Sequence, residues 1–184
     1  MIDSIYVLMS RIVLFFSFIL ILLSCAATQN SHQSNFIKED DSVNLYAFVG
    51  EKVSIVEIDA NEYNKRIEID SITGDTIIRM TYVMDNAFKA KYKVIKNVFN
   101  SVDLDTVEFI VYDHYGRPQF EDLQNVLLYV SLNEERGVYY HQKYQFDAVE
   151  KNRHSEWKGE KGQSLQELFL KRKQEVLINR GLFE

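Results

Sequence analysis

The clearest pattern in the chain is the strict alternation from Phe88 to Val94, with Phe88, Ala90, Tyr92 and Val94 on one side and Lys89, Lys91 and Lys93 on the other. A period of two predicts a half-buried β-strand. Four denser runs of β-branched and aromatic residues predict further strands: Val43 to Asp59 (VNLYAFVGEKVSIVEID), Thr106 to Tyr112 (TVEFIVY), Val126 to Leu132 (VLLYVSL) and Val138 to Phe146 (VYYHQKYQF). Gly50 interrupts the first run where a bend or bulge fits. Between the first two strands, Ile67, Ile69, Thr76, Ile77 and Met80 flank Thr73-Gly74-Asp75 and predict a short hairpin excursion. The period turns helical near the C-terminus. Ser164-Leu165-Gln166-Glu167 is a capping box, Leu165, Leu168, Phe169, Arg172 and Val176 share one face, and Asn179-Arg180-Gly181 ends the segment, which predicts one helix over 164–180. Five strands in series and a terminal helix predict an all-β or β-rich α+β domain: a small five-stranded barrel with the helix over one end or seam.

A different pattern opens the chain. Ile12 to Leu23 (IVLFFSFILILL) is twelve residues broken only by Ser17, preceded by Arg11 and followed by Ser24-Cys25-Ala26-Ala27. Such a helix rises about 18 Å, short of the roughly 30 Å hydrocarbon core of a bilayer. Residues 1–24 are therefore expected to be a cleaved signal helix. Asp3 conflicts with the basic start of such a peptide, and initiation at Met9 removes the conflict. From Ala26 to Ser42 the chain (AATQNSHQSNFIKEDDS) is polar and without period, as expected of a tether. The expected organisation is a signal peptide at 1–24, a tether at 25–42 and a domain at 43–184, about 140 residues and enough for one core.

Leu22-Leu23-Ser24-Cys25 resembles the bacterial lipobox, and the only Cys in the chain falls where that motif needs it. The resemblance implies a lipoprotein in which the Cys25 thiol carries diacylglycerol, the preceding peptide is removed and the new amino terminus is acylated. Two or more acyl chains, at about 0.8 kcal/mol per buried CH₂, make a stable anchor. Ala26 is not the Asp that retains such proteins on an inner membrane, so the resemblance implies the cell envelope, and the outer membrane where there are two. The other reading is an ordinary cleavage site near Ala27, with Cys25 discarded.

Composition narrows the classes. The 184 residues are 46% hydrophobic and 26% charged, the profile of a globular chain rather than a fibre or a disordered tail. One Cys excludes an intrachain disulfide and a multi-thiolate zinc site. A formal charge of −6 argues against nucleic acid as a partner.

The order Phe48-Val49-Gly50-Glu51-Lys52-Val53, then Phe88 to Phe99 (FKAKYKVIKNVF), then Asp105-Thr106-Val107-Glu108-Phe109, then Val126 to Val130, is similar to bacterial proteins of the netrin and tissue-inhibitor-of-metalloproteinase-like OB-fold group. The resemblance implies an OB-like five-stranded barrel. It departs at the cysteines of that group, which are missing here, and at Asn100, where the group has Gly, so no protease-inhibiting activity is carried over.

Four histidines, His32, His114, His141 and His154, form no two-ligand motif at helical spacing, and no Walker-type or Gly-x-Ser-x-Gly sequence occurs. The densest polar cluster is Asp113-His114-Tyr115-Gly116-Arg117-Pro118 after a predicted strand. One reading makes it a turn, with a positive-φ Gly116 and a rigid exit at Pro118, that presents Asp113, His114, Tyr115 and Arg117 as a binding loop. The other folds the Val138 strand back so that Asp113, His114 and His141 become three metal ligands of a metal-dependent enzyme or metal-binding protein. Lys89, Lys91 and Lys93, with Lys96 nearby, form a basic stripe able to meet anionic headgroups, polysaccharide or an acidic partner; the plainer reading is a solvated face pairing with neighbours such as Glu108. Tyrosines recur at 112, 115, 129, 139, 140 and 144, suited to a rim or to a groove for sugar or peptide. The expected function is a non-catalytic, membrane-anchored binding or interaction module with an envelope protein or polysaccharide partner and no cofactor.

Overall fold

Strand-forming runs at both ends of the domain must pair across long stretches of chain, and the computed structural model, which describes residues 37, 39–61, 65–80 and 82–183, shows how they do so. The strands are β1 (Tyr46–Ile58), β2 (Lys65–Ile69), β3 (Thr76–Met80), β4 (Asn86–Phe99), β5 (Thr106–Asp113), β6 (Asn125–Asn133), β7 (Val138–Lys151) and β8 (Trp157–Gly159). A 3₁₀ turn spans Gln119–Asp122, and helix α1 (Leu165–Arg172) continues as a π-helical turn over Lys173–Leu177. The expected signal helix, Cys25 and the tether up to residue 36 lie outside the described residues.

Six strands form one sheet in the order β5-β4-β1-β6-β7-β8, and β2 and β3 form a separate two-stranded sheet. This corrects the expected five-stranded barrel. The short β8 adds a sixth strand through Val149↔Gly159, Glu150↔Lys158 and Lys151↔Trp157, a pairing no hydrophobic period announced. β5 and β7 meet in parallel at two residue pairs only, Phe109↔Tyr139 and Ile110↔Tyr140. The sheet is thus near-ring-shaped, an arrangement loosely OB-fold-like.

The continuous apolar runs explain the layering. In β1, Ala47 and Val49 face one hydrophobic cluster and Phe48 the other; in β6, Leu127 and Tyr129 face the first, and Val126, Leu128 and Val130 the second. All eight are fully buried, as strands covered on both faces must be. The second cluster lies within the curve of the sheet, where Phe120 of the 3₁₀ turn inserts 6.1 Å from Tyr92 and 4.8 Å from His141, ring centre to ring centre. In the first cluster, Leu165, Leu168 and Phe169 of α1 pack on Ala47, Val49, Leu127 and Tyr129. Phe169 stacks on Phe99 at 4.9 Å. The capping box forms as the sequence predicts: Ser164 Oγ accepts from the Glu167 amide (3.2 Å), and Glu167 Oε2 accepts from the Ser164 amide (2.7 Å).

Two backbone positions shape β4. Gly50 of β1 lies opposite Val94 in mid-β4, where the β1/β4 register shifts, and an added Cβ would sit 3.0 Å from the Tyr92 ring, so any larger residue there would push that ring aside. Asn100 follows β4 at φ 44°, a left-handed conformation that Asn tolerates, and this is why Asn serves where the resembled group has Gly. Its buried amide also donates to the carbonyls of Asp40, Val43 and Leu45, each at 3.0 Å, and accepts from the Asp40 amide at 2.8 Å, tying the start of the domain to the end of β4.

Removing the cap acceptor with Ser164→Ala is expected to destabilise by about 0.5–2 kcal/mol, and Leu168→Ala, which empties part of the first cluster, by about 2–5 kcal/mol. Chemical denaturation measures both. A Leu168→Ala protein as stable as wild type would show that α1 does not cover the sheet.

Candidate functional site

The two-residue β5/β7 contact is short because β7 leaves its partner. The β6/β7 register shifts after Val130↔His141 and resumes at Leu128↔Phe146, so Gln142–Gln145 bulge out, with Tyr144 at φ 65°. Two arginines of the C-terminal helical segment hold the bulge. Arg172 donates to Gln145 Oε1 (3.2 Å), to the Phe146 carbonyl (2.9 Å) and to Asp147 Oδ1 (2.5 Å), whose other oxygen accepts from the Tyr129 hydroxyl at 2.9 Å. Arg180 donates to the Lys143 carbonyl (2.9 Å) and to Gln142 Oε1 (3.3 Å). Burial, with the nearby Asp147 carboxylate, holds the Tyr129 hydroxyl protonated far above its ordinary range.

Beside the bulge lies a groove of about 590 Å³ whose walls include Asp85, Tyr112, Arg136, Tyr140, His141 and Lys143. These come from the segment before β4, the end of β5, the β6–β7 turn and β7 itself. Lys143 Nζ donates to Asp85 Oδ2 at 2.5 Å, and His114 Nδ1 lies 3.0 Å from Asp85 Oδ1. The Lys143 bond holds the Asp85 carboxyl below its ordinary pKa, and Asp85 in return raises that of Lys143. Tyr112 and Tyr140 stack nearly parallel, 6.3 Å apart with 9° between their planes. The Arg136 guanidinium lies 3.5 Å from the Tyr140 hydroxyl.

His141 sits beneath the bulge, buried. Its Nε2 lies 2.8 Å from the Gln145 carbonyl oxygen, which can only accept, so Nε2 carries the proton and Nδ1 is bare. That Nδ1 has no hydrogen-bond partner among the described residues. Burial lowers the imidazole from 6.5 to about 4, against the opposing pull of the Gln145 carbonyl.

The expected metal site is not formed. His114 turns to Asp85, His141 turns to its own bulge, and Asp113 Oδ1 accepts from the Tyr115 amide at 2.9 Å as part of a tight turn. Among the described residues no group of three or more His, Cys, Asp or Glu side chains is placed to hold a metal ion. The reason is local: the bulge that reaches His114 carries Lys143 and Tyr144 to it, while His141 stays in the core.

The expected binding loop is divided. His114 joins the rim of the groove through Asp85, and its amide donates to the Tyr144 hydroxyl at 3.3 Å. Tyr115 is largely exposed, its ring 6.0 Å from that of Tyr144. Arg117 is engaged elsewhere, forked onto Glu121 (2.5 and 2.6 Å) with its guanidinium 5.1 Å from the Phe88 ring centre. Lys89, Lys91 and Lys93 lie on the β4 face opposite Phe88, Ala90 and Tyr92, and Lys91 pairs with Glu108 at 3.1 Å.

Residue patterns alone did not single out Asp85, Arg136 or Lys143. Asp85 follows the hairpin in a stretch with no period, Arg136 sits in a turn, and Lys143 lies in a run that reads as regular strand. The recurrence of tyrosines at 112, 140 and 144 was the available signal. No protein-family model, curated protein or solved structure matches the chain.

The low pKa of His141 makes stability depend on pH. The unfolded chain takes up this proton near 6.5 and the folded chain only near 4, so the contribution is intact above about pH 6.5 and is lost as pH falls toward 4, by about 3 kcal/mol. Urea titrations of wild type and His141→Leu between pH 7.5 and 4 check it. The variant is expected to show the shallower decline, and equal declines would contradict the assignment.

Proposed function

We propose that the chain is an exported bacterial lipoprotein, held to the cell envelope by acyl chains on Cys25, whose β-rich domain acts as a non-catalytic binding module through the groove between β5 and β7. The observation that carries the binding reading is the convergence there of two stacked tyrosines with Arg136, Lys143 and Asp85 from four separate segments of chain. Concave sites with aromatic walls and a few placed polar groups are the usual form of small-ligand sites. The anchor reading rests on Leu22-Leu23-Ser24-Cys25 after an apolar run, with the lone Cys of the chain at the acceptor position. A polar tether sequence between that anchor and the domain would let the domain reach a partner in the same envelope. The dispersal of Asp113, His114 and His141 disfavours the metal-dependent alternative.

Two experiments separate the parts of this reading. Cys25→Ser is expected to abolish incorporation of labelled palmitate and to move the protein out of the detergent-extracted membrane fraction; equal label in wild type and variant would sink the anchor. Tyr140→Ala is expected to weaken retention of envelope material by the immobilised full chain at least tenfold while the melting temperature stays within a few degrees. Unchanged retention would place binding elsewhere.

A further inference from the structure

We propose that the groove is a saccharide site that takes an acidic sugar, with the Tyr112 and Tyr140 rings as its platform and the Arg136 guanidinium as the carboxylate clamp. The inference rests on the groove being the binding site of the domain, and it adds the chemical class of the ligand.

A pyranose ring presents a face of C–H groups and a rim of hydroxyls, so a site for it must set flat apolar area beside short-range donors and acceptors. The near-parallel, half-buried rings of Tyr112 and Tyr140 both line the groove and supply such area. Asn133, also on the groove wall, adds an amide held by its own turn, because its Oδ1 accepts from the Arg136 amide at 3.0 Å. The groove is open to solvent and, at about 590 Å³, has room for a sugar ring lying against its wall.

Charge selects the acidic member of the class. Asp85 is occupied by Lys143 at 2.5 Å and by the His114 ring at 3.0 Å, so this carboxylate is compensated within the wall. Arg136 differs: among the described residues no carboxylate lies within ion-pair distance of it, and its guanidinium donates to the Tyr140 hydroxyl at 3.5 Å. The wall therefore holds two cations, Arg136 and Lys143, against one carboxylate, in a chain of net charge −6. Glu134 and Glu135, the other charges of the same turn, do not line the groove. A planar guanidinium forks onto a carboxylate with two parallel hydrogen bonds, and the exposed position of Arg136 lets it do so without first breaking an ion pair.

A peptide is the competing occupant, because β5 and β7 pair with each other only at Phe109↔Tyr139 and Ile110↔Tyr140 and part beyond them. The placed cations and the tyrosine pair favour the sugar, and an acidic peptide is one arm of the test.

The test titrates the full chain in detergent with a glucuronic-acid tetrasaccharide, with its carboxyl-reduced neutral counterpart and with a short polyglutamate peptide, by calorimetry. The acidic sugar is expected to bind at least tenfold more tightly than the neutral one. Arg136→Gln should erase that preference while leaving the neutral affinity within twofold, and Tyr140→Ala should weaken both sugars at least tenfold. Equal affinity for the two sugars, a preference that survives Arg136→Gln, or polyglutamate bound as tightly as the acidic sugar would each overturn the proposal. Loss of envelope retention in Tyr140→Ala with neither sugar bound would overturn the sugar assignment alone and leave the groove as the binding site.

Discussion

Ala47–Val49 of β1 and Val126–Val130 of β6 are buried on both faces, and the rest of the domain follows from that constraint. These two stretches alternate between two hydrophobic clusters, so neither has a solvent side to spare. One face must be enclosed by the sheet itself, which β4, β5 and β7 do by curving toward each other with Phe88, Phe109 and Phe120 inside. The other is covered from outside by the C-terminal segment, with Val43 and Leu45 ahead of β1 beside it. With apolar burial contributing about 25 cal/mol per Å², those two coverings are a main source of stability for a chain whose single Cys can form no internal disulfide.

The covering helix has a second consequence. The segment that places Leu168 and Phe169 on the sheet also carries Arg172 and Arg180, and these hold the carbonyls and side chains of the β7 bulge. Residues in a bulge lose ladder partners, so their backbone groups need others. By supplying them, the helical segment sets where Lys143 and Tyr144 stand, and hence the shape of the groove beside the bulge. Helix docking and groove geometry are parts of one arrangement.

The hairpin of β2 and β3 stands apart from this logic. Its register puts Ile67 opposite Ile78 and Arg66 opposite Arg79, so one face is apolar and the other charged. Ile67, Ile69 and Ile78 are nonetheless exposed. Nothing among the described residues covers them, and isolated two-stranded sheets draw little stability from their own contacts.

Several features were legible in the residues alone because each depends on near neighbours. The alternation of Phe88 to Val94, the capping box at Ser164 and Glu167, the turn around Gly74 and the positive-φ Gly116 are local, and all four are present. What the sequence left open depends on partners far away in the chain. The sixth strand and the two-pair meeting of β5 with β7 are long-range pairings, and a barrel was the simplest closure of five strands until those pairings replaced it with a six-stranded sheet. The fate of His114 and His141 was likewise undecidable from spacing: a bulge of four residues, stabilised by arginines about thirty residues further on, buries one and turns the other to Asp85. Periodicity reports which face of an element is apolar; which groups meet across elements is decided only when burial of both faces of Ala47–Val49 and Val126–Val130 forces the chain to fold around them.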